Sequence, residues 1–142
     1  NMASSHTTNY QLCQWEAADQ VLRTDFNQDN QKIDAAMKGI QDTVPVILFG
    51  TYTGEGAGSR LIDLGRTPKA VYVCQPFGQV YEPDGADRLY GGLAITGSPA
   101  VFGSSTVLQI EEGGFRVYYA SSSTHIVYSN HEGTVYHYIA FC

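Results

Sequence analysis

The hydrophobic period of this chain changes once, near residue 44, and that change divides it into two kinds of structure. Between Thr24 and Gln41 the apolar residues Phe26, Ile33, Met37 and Ile40 fall at steps of seven, four and three. Such spacing lines them up on one side of a helix. Gln28, Gln31, Lys32 and Lys38 take the opposite side. From Val44 onward apolar and polar residues alternate, and turn residues recur at short intervals, as β-strands require. The expected organisation is residues 1–43 as an N-terminal segment with a helical neck and 44–142 as a β-domain.

The helix is expected near Asp25 to Lys38, with Thr24, Asp25 or Asn27 available as caps and Gly39 as a terminator. So short a helix is marginal alone in water, and its apolar stripe needs a partner. Written as heptads, the a positions are Leu12, Asp19, Phe26, Ile33 and Ile40, and the d positions are Trp15, Leu22, Asp29, Ala36 and Thr43. Two aspartates and a threonine make that seam too polar for a long two-stranded zipper. Tyr10 to Arg23 is therefore expected to be irregular or briefly helical, after a patternless lead-in. Phe26, Ile33, Met37 and Ile40 are the candidate contacts between copies of the chain.

Alternation places strands at Val46–Thr53, Arg60–Asp63, Ala70–Gln75, Tyr90–Thr96, Val107–Glu111, Phe115–Ala120 and Val135–Phe141. The clusters GEGAG, EPDGAD, GSPA, EEGG and SNHEG between them are turn chemistry, in which glycine supplies positive φ and Asp or Asn supplies local caps. Several short strands at this spacing predict a mainly β fold, an antiparallel β-sandwich.

A net charge of −6 and a pI near 5.0 exclude nucleic acid and anionic membrane surfaces as electrostatic partners. Cys13, Cys74 and Cys142 are odd in number and lack metal-type spacing, so neither a disulfide framework nor a zinc site is expected. The N-terminal residues are polar and carry no secretory pattern, which suggests synthesis in a cytoplasm.

No catalytic set assembles from the sequence. The carboxylates fall mostly in turns, without the facing pair that glycoside hydrolysis needs. Ser121 to Ser123 with His125 lack a nucleophile-elbow context. GEGAG lacks the Lys and Ser/Thr of a phosphate loop. No catalytic residue, cofactor or metal is expected. His125, His131 and His137 stand six residues apart; His137 shares a strand face with Val135 and Ile139. A metal shared among these histidines is the minor reading, hydrogen-bonded or ligand-contacting histidines the major one.

Two segments have the composition of a recognition surface. Gly78 to Tyr90 carries Tyr81, Asp84, Asp87, Arg88 and Tyr90; Ser121 to Gly133 carries His125, Tyr128, Asn130 and His131. Rigid aromatics beside small polar donors suit sugars and polar epitopes. Loops on a rigid sandwich are where binding commonly sits.

The order of several motifs resembles bacteriophage tail-fibre and receptor-binding tip proteins. Those motifs are W-E, V-L-R-x-D-F-N and K-I-D in the N-terminal part, then GTYTGEGAGSRLIDLGRTPKAVYV, GGLAITG, GGF-R-V and a closing Y-H-Y-I-A-F. The resemblance implies a virion component, a homotrimer whose helical neck joins other tail or baseplate proteins and whose sandwich contacts a host receptor. More loosely, Pro68 to Val73, Gly114 to Val117 and Tyr138 to Ala140 are similar to H-type lectins, trimeric sandwiches that bind N-acetylgalactosamine-type sugars. It implies adhesion to a cell-surface glycan without catalysis. A structural tail component, a lectin-like module and a polysaccharide depolymerase are the competing readings.

Overall fold

In a computed structural model, which describes residues 3–142 apart from the side chain of Asp84, the chain forms two compact units, Asn1–Pro45 and Val46–Cys142. The first holds short strands β1 (Ser5–His6) and β2 (Cys13–Gln14), which pair antiparallel, and one helix, α1 (Arg23–Thr43). The helix is longer than expected at both ends. Leu22 is its N-cap and makes no side-chain cap bond, so none of the three candidate caps is used. Gly39 lies inside the helix. The stop comes at Val44, held in an extended conformation by the following Pro45, as the residue before a proline is disfavoured from continuing a helix.

The buried side of α1 is its polar side. Asp25 and Asp29 are 7% and 8% exposed, whereas Phe26, Ile33, Met37 and Ile40 are 55%, 41%, 66% and 56% exposed. The reason is the N-terminal arm. The Cys13 amide donates to Asp29 Oδ2 at 2.8 Å, and Lys32 reaches both Asp29 (3.6 Å) and the Gln11 carbonyl. Asp19, a heptad a position, instead ties the arm to itself by accepting from Ser4 and from the Glu16 amide. The Ser4 hydroxyl is the main reason its carboxyl titrates below the usual range. Asp19 and Asp29 thus hold the arm, and the apolar stripe is left bare.

The second unit is built on two sheets. One has the order β3 (Ile47–Thr53), β13 (Val135–Phe141), β5 (Ala70–Cys74) and β8 (Gly92–Ile95), all antiparallel. The other runs β6 (Tyr81–Asp84), β7 (Ala86–Leu89), β12 (His125–Tyr128), β11 (Gly114–Ser121), β10 (Ser105–Glu111) and β9 (Ala100–Phe102), with β4 (Ser59–Asp63) also paired to β11. The β7–β12 pair is parallel, so the sandwich is mixed and not purely antiparallel. Alternation sets the core: Tyr52, Val71, Val73, Tyr136 and Ala140 point inward from the first sheet, Ile62, Leu108, Phe115 and Val117 from the second. Phe115 sits edge-on to Tyr52 at 6.1 Å and to Tyr138 at 5.3 Å, which joins the two inner faces.

All seven expected strands match within two residues at each end, the expected Tyr90–Thr96 strand being the shorter Gly92–Ile95. Strands β6, β7 and β12 lie where exposed loops were expected. Cys13, Cys74 and Cys142 are free thiols. Among the described residues no helix is long and apolar enough to cross a membrane.

Candidate functional site

The two segments singled out by composition meet because they are strands of one sheet. Tyr81 to Asp84 folds back on Ala86 to Leu89 around Gly85, whose φ of 70° a side chain would strain. Strand β7 then lies parallel to β12, with His125, Ile126 and Val127 beside Asp87, Arg88 and Leu89. That pairing carries Arg88 to the ring of Tyr128 at the end of β12.

Within the hairpin the polar groups are paired. Glu82 and Arg88 are cross-strand partners in register, with an ion contact of 4.0 Å. The Tyr90 hydroxyl donates to Glu82, and the Tyr81 hydroxyl donates to Asp87 Oδ1 at 2.9 Å. Burial, then the bond to Glu82, raises the Tyr90 phenol; the bond to Asp87 raises that of Tyr81. Both tyrosines therefore stay neutral donors. Asp84 ends β6, and its side chain lies outside the described residues.

The rings form a continuous patch. Tyr119 and Tyr128 are cross-strand partners, stacked at 5.7 Å with planes 13° apart. The His131 ring lies 4.4 Å from Tyr128 and 5.9 Å from Tyr119; Tyr90 lies 5.8 Å from Tyr128. The Arg88 guanidinium stands 6.0 Å above the Tyr128 ring, at the limit of a cation–π contact. Tyr119, Tyr128, His131 and Arg88 are all half-exposed, so one edge of the patch faces solvent.

Core groups fix this patch from beneath. The Tyr136 hydroxyl donates to the Tyr128 carbonyl and accepts from the His131 amide at 3.2 Å. Burial is the main reason its phenol is pushed up to about 12. The Tyr52 hydroxyl donates to the Ser129 carbonyl at 2.6 Å. Ser129 Oγ accepts from the Tyr118 amide and bonds the Val107 carbonyl. Asn130, expected to meet a ligand, is fully buried: its Nδ2 donates to the Ala57 carbonyl at 2.8 Å and its Oδ1 accepts from the Glu55 amide. It pins the 54–58 turn and positions Tyr128 and His131 without facing solvent. A Cβ on Gly54 would meet the His131 carbonyl at 2.1 Å, so only glycine lets the turn approach.

His125 stands apart, three residues up β12 from Tyr128, about 10 Å at the rise of a strand. Its ring packs edge-on to Phe102 at 4.5 Å, and its Nδ1 lies 2.7 Å from Thr124 Oγ1. Ser122 Oγ bonds the His125 backbone, not the ring, so the Ser-His arrangement does not form. His131 pairs with Thr134 Oγ1 at 2.9 Å, and His137 points outward from the other sheet. The three histidines are thus dispersed, and among the described residues no three His, Cys, Asp or Glu side chains converge as a metal site.

Sequence reasoning missed Tyr119, the central stacking ring, and Glu82, the acceptor that organises Tyr90 and Arg88. Tyr119 lay in an ordinary strand pattern, and only the β11–β12 register shows its partner. Compared with protein-family models, curated proteins and solved structures, the chain matches none.

Proposed function

We propose that this chain is a non-enzymatic receptor-binding tip of the bacteriophage tail-fibre type, whose β-domain holds a host cell-surface glycan against the Tyr119–Tyr128–His131 patch. The observation that carries the reading is the β7–β12 pairing, which sets Arg88 beside stacked, half-exposed rings fixed by buried hydroxyls. Aromatic faces accept the apolar face of a sugar ring at low entropic cost, and a few fixed polar groups orient its hydroxyls. Arg88 and His131 are the donors at hand, with Asp87 on the flank. In this role the protein is a virion component, a homotrimer joined to other tail proteins through the N-terminal segment. Linking three weak sugar sites raises avidity without new contacts.

Purified protein should bind bacterial cells and a subset of an array of bacterial surface glycans. Tyr128→Ala and Arg88→Ala should each lower that binding at least tenfold while the far-ultraviolet circular dichroism is unchanged. Wild-type binding by both variants contradicts the site. Cell binding by neither variant nor wild type favours a purely structural tail component, and loss of capsule on treatment with the protein favours a depolymerase.

A further inference from the structure

The outward side of the four-stranded sheet is apolar from one edge to the other. Register aligns its side chains in rows. Phe49, Ile139, Tyr72 and Leu93 are neighbours across all four strands. Ile47, Phe141, Ala70 and Ile95 form the next row, and Thr51, His137 and Cys74 the one on the other side. Phe49 is 74% exposed, Leu93 53% and Ile95 49%, although each belongs to a well-paired strand. No Asp, Glu, Lys or Arg interrupts these rows; charge begins only at the rim, where Arg60 donates to the Thr53 carbonyl. Strand β3 ends the sheet with seven residues and not one charge, lacking the lysine or proline that usually protects an edge.

We infer that this face is an interface between copies of this chain. Charge selects the occupant. The chain carries −6, so a second copy is a like-charged partner and can approach closely only where neither copy presents carboxylates. This face meets that condition, and it offers no counter-charge to a basic or acidic partner of another kind. Area sets what else must join. Four strands about 4.8 Å apart and three rows about 6.8 Å apart give a flat area on the order of 350 Å². A stable specific interface covers about 800 Å² per partner, so the sheet face supplies under half. The α1 stripe is the second bare surface, and Val44 and Val46, also exposed, follow it along the chain up to β3. Copies of the chain cover both surfaces, each on its own unit. This inference deepens the homotrimer of the proposed reading and does not depend on its glycan site, which lies on the other sheet.

Light scattering on the full chain at tens of micromolar tests it. Wild type should give an integer multiple, two or more, of the 15.5 kDa chain mass. Phe49→Glu and Leu93→Glu should each bring the mass down two- to threefold, to a single chain, with the β-type circular dichroism retained. Met37→Glu should weaken the assembly on dilution. A single-chain mass for wild type overturns the inference. So does an assembly that both sheet variants leave intact, whether Met37→Glu breaks it or not.

Discussion

The two sheets of the β-domain share one core and differ on the sides they turn away from it. On β4, β11 and β10 the outward row across the register is Leu61, Arg116 and Gln109. Arg116 grips Glu111 with two hydrogen bonds of 2.7 and 2.9 Å, and the Tyr118 hydroxyl reaches Gln109 at 3.4 Å. The hydrogen bond from Arg116 holds the Glu111 carboxyl below the usual range, and the same bond raises the guanidinium. On β3, β13, β5 and β8 the corresponding row is Phe49, Ile139, Tyr72 and Leu93. Alternation is equally regular in both, so inward residues explain the fold of either sheet. Outward residues decide what each sheet meets. One is finished against water; the other presents an uncharged, apolar row.

The largest effect should come from what the sheets share. Phe115→Ala removes a fully buried ring that contacts the opposite sheet through Tyr52 and Tyr138. It should cost about 3–5 kcal/mol in denaturant unfolding. A loss below about 1 kcal/mol would show that the inner faces do not depend on each other. Tyr136→Phe should act at the patch. Without the hydroxyl, the Tyr128 carbonyl and the His131 amide lose their partner, at a cost of about 1–3 kcal/mol. Glycan affinity should fall with it, while solution mass stays at the wild-type value; a changed mass with unchanged binding would reverse the assignment of the two faces.

The smallest effect belongs to the water-facing ion pair. Because the folded pKa of Glu111 is depressed, its contribution is present above the unfolded value and disappears as pH falls through the folded one. Glu111→Gln should therefore melt slightly below wild type at neutral pH and converge with it below about pH 4, the ordinary range of a glutamate. Melting curves that diverge further in acid would mean that the pair is not what depresses that carboxyl. Glu111 and Arg116 are substantially exposed, so the neutral-pH difference should be small.

The strand β13 was legible residue for residue, Val135 to Phe141, because its alternation is unbroken and no turn residue intrudes. The helix was legible in type but not in its ends. Gly39 tolerates an α-helix interior when nothing packs against it, and Pro45 acts one residue before itself. The burial of Asp25 and Asp29 was not legible, since they are covered by an arm whose pairing depends on residues far along the chain. Strands β6, β7 and β12 were hidden for a similar reason. Pro83, Gly85 and the Ser121–Ser123 run break local alternation, and only tertiary pairing makes strands of what lies beside them. At the candidate site, composition located the two segments but not the roles: Asn130 has the chemistry of a ligand contact and the position of a buried brace.

The contrast between the two outward faces is tested most directly by placing the same charge on each. Phe49→Glu and Leu61→Glu each put one carboxylate on an exposed strand position, 74% and 38% open in the single chain. Their masses should be read by light scattering beside wild type, at one concentration and one salt. If the contrast holds, Phe49→Glu falls to 15.5 kDa and Leu61→Glu keeps the wild-type multiple. Equal masses for the two variants would contradict it.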